Sequence, residues 1–442
     1  MKAPIPPTPQ SYYRATMHAA QVRRAPLLEL GAANVVVVGA GFAGLNTALR
    51  LLESGVPDVV ILEAGEIGQG ASGRNGGFVF GGYSLSEEAL FRRLGRTDAV
   101  RLYGLTLEAV RRIRDRAQSA AVSCEVQDHG VVWANWFRDP AAITHRQQLL
   151  RQVYGVEWEP LDFAQLRDYV VSDHYSGGML ERDAFHFHPL RYSAELARRI
   201  EVLGGRIHTA SQVTSITRVG TDWTVRTAQG ELRCAQVALC GGGYLRGVHR
   251  RVEGAVMPIT TYVMVTEPLG AALDAVLPGN CAVYDSRFAF DYYRKLQDGR
   301  LLWGGRISAV RDPSPERMRN HLRADLRRVF PSLADARIDH VWSGLMSYAR
   351  HQMPQLAEPE PGLWTAQAFG GHGVATTTVG GEVLGDAIAA RLQGRPLPAD
   401  YQSFQSFGLV SAGRKVGLGT AQLGYWAAQT ADALKFALQR SR

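Results

Sequence analysis

Residues 34–38, NVVVV, form a short β-branched run, the pattern of a strand buried on both faces. The period then changes. In FAGLNTALRLLESG, Leu45, Ala48, Leu49 and Leu52 recur on one helical face, and Gly55 ends the helix. DVVILEA follows as a second buried strand that closes on Glu63. Residues 206–244 alternate between apolar and polar, break at VGTD and AQGE, and finish in a buried strand and a glycine cluster. Residues 256–310 are strand-rich (TYVMVTE, AVYDS, FAFDYYRKL, RLLWGGRI), and residues 91–180 are helical and mixed. Pro313 and Pro315 mark a helix start. GLWTAQ reads as a strand, GGHG opens a helix, and the tail GTAQLGYWAAQTADALKFALQR reads as an amphipathic helix that packs on the protein.

The junction of the first strand and helix carries chemistry. GAGFAG places Gly39, Gly41 and Gly44 in GxGxxG spacing, with Phe42 and Ala43 opening the helix and an acid about 20 residues on. Gly39 permits the tight turn, Gly41 lets backbone approach a pyrophosphate, and Gly44 lets the helix lie close to the sheet. The helix N-terminus offers free N–H groups to phosphate. Glu63, followed by Ala64, can accept hydrogen bonds from ribose hydroxyls and would repel a 2′-phosphate, which argues against NADP. A bare glycine turn would explain one of these elements but not all three.

A nicotinamide enzyme would continue through further βα units. This chain runs instead into GEIGQGASGRNGGFVFGG. A second glycine-rich loop suits FAD, whose ring must be carried well past the pyrophosphate. Gly70, Ala71, Ser72 and Arg74 can wrap phosphate or ring oxygens, and Asn75, Gly76 and Gly77 can lie against the flavin. CGGGYLRG, containing Gly241, is followed by neither a long helix nor an acid-terminated strand, so one dinucleotide site is expected.

Composition narrows the picture. The chain has 442 residues, 46% hydrophobic and 20% charged, an ordinary globular balance with room for two domains. The net charge of +8 comes mostly from arginines interleaved with acids, which fits solvated helix faces rather than a nucleic-acid stripe. The four cysteines (Cys124, Cys234, Cys240, Cys281) show no CxxC spacing, so neither a zinc site nor a disulfide framework is expected, and a cytoplasmic setting fits. No signal peptide or spanning helix is apparent, and no membrane insertion is expected.

GAGFAG…LEA…IGQGASGRNGG resembles the D-amino-acid oxidase/glycine oxidase superfamily of flavoproteins, in particular its gamma-glutamylputrescine oxidase-like branch. Further matches are HPLRYSAELARRI, MPITTYVMVTEPLG, FDYYRKLQDGRLLWGGRIS and AFGGHGVATTTVGGEVLGDAI. The resemblance implies an α/β plus α+β fold of the glutathione-reductase-like type: a Rossmann-type FAD-binding domain interleaved with a β-sheet substrate domain. It divides the chain into an N-terminal extension (1–30), an FAD-binding domain (31–90, 181–255 and 359–399), a substrate domain (91–180 and 256–358) and a helical tail (400–442). It also implies that backbone at Val213 contacts the adenine. The helix opening at Gly371, His372, Gly373, Val374 and Ala375 would face the flavin.

The chemistry implied is oxidation of an amine C–N bond: hydride passes to flavin N5, the imine hydrolyses, and dioxygen becomes hydrogen peroxide. Tyr348, Arg350 and His372 are the candidate catalytic residues. Tyr292, Tyr293, Arg306, Tyr348 and His351 are the candidate substrate contacts, aromatic rings suiting an amine-bearing chain. Three departures matter. Met346 stands where related amino-acid oxidases hold a carboxylate with arginine, so either Arg350 replaces it or no carboxylate adjoins the amine. Leucine and tryptophan in RLLWGG stand where sarcosine-type oxidases carry a lysine that promotes reaction with oxygen, which leaves a quinone acceptor open. The last cysteine, Cys281, precedes the segment where those enzymes attach flavin, so FAD is expected to be non-covalent. The expected substrate is a gamma-glutamylated polyamine, a secondary amine or an imino acid. A quinone-linked dehydrogenase and a tRNA-modification flavoprotein are the alternatives.

Overall fold

The structure is a computed structural model that describes residues 10–17, 24–137, 139–288, 290–309 and 314–440; most of the N-terminal extension's first half and Pro313 lie outside them. Five parallel strands form the centre of one sheet, in the order Leu363–Gln367, Glu231–Leu239, Leu30–Val38, Val59–Leu62 and Arg206–His208. Gln355–Glu360 adds antiparallel at one edge. Asp222–Arg226 and Ser215–Val219 form a hairpin on the first half of Glu231–Leu239.

Burial on both faces explains the β-branched runs. Val35, Val37, Val59 and Ile61 pack in the large core on the helix side, and Val36, Val38, Val60 and Leu62 pack with Trp223 and Val225 on the other. The helix Phe42–Glu53 follows the first strand, and the helix Gly373–Leu392 lies across it. Two small residues set that crossing: a Cβ on Gly381 would sit 2.7 Å from the Ala43 carbonyl oxygen, and one on Gly385 would sit 2.9 Å from Arg50 Cβ. Arg50 fixes the pair with a two-point contact to Asp386 at 2.7 and 3.2 Å.

The second sheet has eight strands in the order Ile338–Tyr348, Met257–Pro268, Arg300–Ser308, Tyr292–Lys295, Ala282–Asp285, Val131–Ala134, Gly178–Glu181 and Glu159–Leu161. Its pairs are antiparallel except Ala282–Asp285 with Val131–Ala134. Phe78–Val79 pairs with Phe185–His186. The strands expected between 206 and 310 are all present, as are the helices opening at Pro315 and at Gly373.

Residues 91–118 lie in the helical segment Glu87–Gln118, which kinks at Gly95 (φ +74°) and packs against Gly373–Leu392. Buried Arg116 anchors it there, donating to Glu382 Oε1 at 3.1 Å and Asn46 Oδ1 at 3.0 Å. The tail forms the helix Arg414–Arg440 and packs on the protein. Gln422 Oε1 accepts from Ala309 N at 2.7 Å, and Asp432 Oδ2 accepts from Phe288 N at 3.1 Å. No helix among the described residues is long and apolar enough to cross a membrane.

Candidate FAD and substrate site

The carboxyl ends of the parallel strands converge on the first glycine turn. Gly39 has φ +108°, a conformation that excludes most side chains, and a Cβ there would meet the Cys240 carbonyl oxygen at 3.1 Å. A Cβ on Gly44 would lie 2.0 Å from the Gly39 carbonyl oxygen, so the helix can approach the turn only with glycine here. Cys240 and Gly241 thus back the first site rather than build another. Glu63 follows Leu62 and accepts from Ala40 N at 2.7 Å and Gly65 N at 2.8 Å. Ala64 N is a third backbone donor to this carboxylate, which leaves one of its four lone pairs for a further donor. Burial raises the Glu63 carboxyl above the ordinary range, while these backbone donors oppose the rise. Val213 is buried beside the same strands.

The second glycine loop is held by its own side chains. Ser72 Oγ accepts from Phe42 N at 2.8 Å, joining the loop to the helix N-terminus where phosphate is expected. Asn75 donates to the Ser72 carbonyl at 2.7 Å and accepts from Gly77 N at 2.8 Å, so its amide shapes the loop. Arg74 donates to the carbonyls of Gln69 (2.7 Å) and Ser343 (3.2 Å), which ties the loop to the second sheet. Gly76 has no room for a side chain, since a Cβ would lie 2.6 Å from the Tyr292 ring.

Between this loop and the second sheet lies a cavity of about 900 Å³. The dinucleotide side contributes Ala71, Ser72, Arg74, Asn75 and Gly76, and the helix opening contributes Gly371 to Ala375. Phe78, Phe80, Tyr284, Phe288, Phe290 and Tyr292 give it aromatic surface, and Gln422 and Tyr425 of the tail helix close one side. His372 caps the helix Gly373–Leu392 without a side-chain hydrogen bond to the first turn. Its Nδ1 is buried with no partner, and burial holds the imidazole down to about 4, so it is neutral. Tyr348 contacts Ser84 and Gly371, and burial raises its phenol. Ser84 Oγ accepts from Gly371 N at 2.9 Å.

Charge on the lining is one-sided. Arg74, Arg287, Arg306 and Arg350 line the cavity, and no Asp, Glu or Lys does so among the described residues. Arg287 is bound to Asp285 and Arg306 to Asp325, the latter at 2.6 and 3.0 Å. Arg350 is exposed and has no hydrogen-bond or ion-pair partner among the described residues, which leaves its guanidinium available to a ligand.

The structure therefore brings Tyr292, Arg306, Tyr348, Arg350 and His372 together and leaves two expected contacts out. Tyr293 points the opposite way from Tyr292, stacks on Trp303 at 4.5 Å and hydrogen-bonds Tyr175 at 2.9 Å in the core. His351 packs against Phe407, with Nε2 3.3 Å from the Gly408 carbonyl. Ser84, Tyr284 and Arg287 were missed as site residues. Their segments read only as turn or strand, and the cavity forms where those strands meet residues distant in sequence.

The cradle fits a flavin dinucleotide: glycines where a Cβ would collide, an open helix N-terminus and an orphaned His372 nitrogen at one cavity. The family model described as "FAD dependent oxidoreductase" (DAO) matches residues 34–387. The chain belongs to this family of FAD-dependent oxidoreductases. It is 33% identical to gamma-glutamylputrescine oxidoreductase of Escherichia coli K12 over 385 residues, 86% of this chain and 88% of that one. It is 30% identical to the probable oxidoreductase OrdL of Haemophilus influenzae over 369 residues, 82% and 84% of the two chains. The fold is similar to that of glycine oxidase from Bacillus cereus, with TM-score 0.68 and 19% identity over 83% of this chain and 98% of that one. When bound, FAD would supply the electron sink for an oxidation.

Proposed function

We propose that the protein oxidises the C–N bond of an amine whose molecule also carries a carboxylate, a gamma-glutamyl amine or related imino acid, with dioxygen as acceptor and non-covalent FAD. The observation that carries this reading is the lining of the cavity: Arg350, whose guanidinium has no partner, and no carboxylate among the described residues. A free diamine would enter as a dication and find no carboxylate on the described lining, because Asp285 and Asp325 are taken up by Arg287 and Arg306. A gamma-glutamyl amine presents a carboxylate to Arg350, worth about 1.5–3 kcal/mol for a charge-assisted hydrogen bond. The amine end would lie among Phe80, Tyr284, Phe290 and Tyr292. With no acid there to hold it as ammonium, it reacts as the neutral base that hydride loss requires.

The residues have distinct roles in this reading. Arg350 orients the substrate, the aromatic rings and the tail helix exclude water, and His372 and the helix N-terminus favour negative charge at the cofactor. Non-covalent attachment is supported by the cysteines: all four are buried, none lines the cavity, and burial pushes each thiol up to about 12. One observation favours a quinone acceptor instead, namely that no lysine among the described residues lines the cavity.

The test is anaerobic bleaching of the holoprotein by gamma-glutamylputrescine and by putrescine, followed by admission of air. Bleaching by the first alone, with peroxide released in air, is expected. Equal bleaching by putrescine would refute the charge argument, and protein that stays bleached in air would select the quinone. Arg350→Met should raise KM for the gamma-glutamyl amine about 10- to 150-fold, from the same 1.5–3 kcal/mol, with kcat little changed.

A further inference from the structure

Arg294, on the strand Tyr292–Lys295, is 3% exposed and has no ion-pair partner among the described residues. Its Nε donates to the Gly76 carbonyl at 2.6 Å. Its Nη2 donates to the Phe187 carbonyl at 2.8 Å and the Tyr13 hydroxyl at 3.1 Å. Its Nη1 lies 3.1 Å from His186 Nδ1. The other ring nitrogen of His186, Nε2, faces the Asn280 carbonyl at 2.9 Å and must donate, so Nδ1 accepts from Arg294. Burial holds His186 well below its ordinary value and raises the Tyr13 phenol, so both are neutral. The acid whose field reaches Tyr13, Glu125, is bound to Arg191 at 2.9 Å. All four partners of Arg294 are therefore neutral, and its positive charge is satisfied by hydrogen bonds but not compensated.

Burying a cation costs several kcal/mol, which neutral hydrogen bonds only partly offset. The place of this cation suggests what completes the compensation. Gly76 lines the cavity, and a Cβ on Gly77 would lie 2.7 Å from Arg294 Nη2, so the guanidinium sits directly behind the loop expected to carry the flavin. The amino-terminal segment seals it in. Tyr12 and Tyr13 are buried in the short helix Tyr12–Ala15, Thr16 Oγ1 lies 3.1 Å from His188 Nε2, and the Thr16 carbonyl accepts from Arg191 at 2.8 Å.

We propose that Arg294, closed off by Tyr13, is a positioning and electrostatic residue of the cofactor site. It fixes the Gly76–Gly77 backbone and holds uncompensated positive charge behind it, which favours the reduced, more negative state of the flavin. The amino-terminal segment is then part of the cofactor site. This rests on the family's use of FAD and is independent of the substrate assignment above.

The experiment uses the full-length chain and measures the flavin midpoint potential, FAD affinity by titration of apoprotein, and apoprotein melting. Arg294→Met should shift the two-electron equilibrium at least tenfold toward oxidised flavin, about 30 mV more negative, and weaken FAD binding more than tenfold. Arg294→Lys keeps the charge and loses the fork, so its potential should stay within threefold of wild type in that equilibrium while FAD affinity falls. Tyr13→Phe should weaken FAD binding a few-fold with no change in potential. A merely structural role would lower melting in all three and leave the potential unmoved. The proposal is overturned if the methionine variant keeps the wild-type potential, or if the lysine variant shifts it tenfold. Should the methionine variant not fold, Arg294→Gln takes its place, with the same tenfold shift expected and an unmoved potential overturning the proposal.

Discussion

Gly44→Ala puts the geometry of the first glycine turn under a defined load. Its new methyl would stand 2.0 Å from the Gly39 carbonyl oxygen, where ordinary contact begins at 3.4 Å, so turn and helix must part by about 1.4 Å. Neither side can yield cheaply. Gly39 is backbone at φ +108° already close to the Cys240 carbonyl, and the helix Phe42–Glu53 is pressed from behind by Gly381 and Gly385. Overpacking of this kind costs about 1–3 kcal/mol. If the strain is relieved by opening the turn, it falls on the phosphate-facing N–H groups, and FAD affinity drops about 5- to 150-fold at 1.4 kcal/mol per factor of ten. Gly55→Ala is the control: it also has positive φ (+78°) but no atom within 4 Å of the new methyl. It should lower stability by about 1 kcal/mol through backbone strain and leave FAD affinity alone. Titration of apoprotein with FAD, read by flavin fluorescence, measures both variants. Wild-type affinity in Gly44→Ala, with an intact melting transition, would refute the reasoning.

Three further outcomes are expected. Arg116→Met removes a buried cation that holds Glu382, Asn46 and Glu53 together, and should destabilise the protein in urea melts by less than the about 3–5 kcal/mol of a stranded buried charge, since Arg112 still holds Glu382. His188 is 1% exposed, and burial with nearby Arg191 and Arg294 holds it down to about 3. It binds a proton in the unfolded chain below about 6.5 but not in the folded one, so its contribution to stability is full above 6.5 and is lost as pH drops toward 3. His188→Asn, which keeps a helix cap, should flatten that part of the stability profile. Glu181 is 4% exposed and pushed by burial up to about 8. Its folded form keeps a proton that the unfolded chain releases near 4.5. The contribution of Glu181 should therefore decline from pH 4.5 to 8, and Glu181→Gln should remove that component from thermal melts compared with wild type across the range.

Local pattern carried the dinucleotide half of the site. Gly39, Gly41, Gly44 and Glu63 lie within 25 residues, and strand, turn, helix and acid each leave their own mark on the sequence. The substrate half was legible only as a list of candidates. Tyr292 and Tyr293 are equivalent by composition, and alternation guarantees that one faces the cavity without saying which. The register with Gly304 and Trp303 on the neighbouring strand selected Tyr292 and sent Tyr293 into the core. Arg306 and Arg350 are likewise alike in sequence. Asp325, 19 residues away, occupies the first and leaves the second free.

The cofactor class and the parallel-sheet framework were readable from the order of residues, because both depend on short-range backbone constraints: where glycine is required, where a helix starts, and where an acid ends a strand. Tertiary structure alone decided which arginine can meet a substrate, which tyrosine lines the cavity, and that the amino-terminal and carboxy-terminal segments reach the site. Those are contacts between residues up to 281 apart, as between Tyr13 and Arg294. Whether a side chain is paired, buried or free there depends on the far partner, and no local pattern records it.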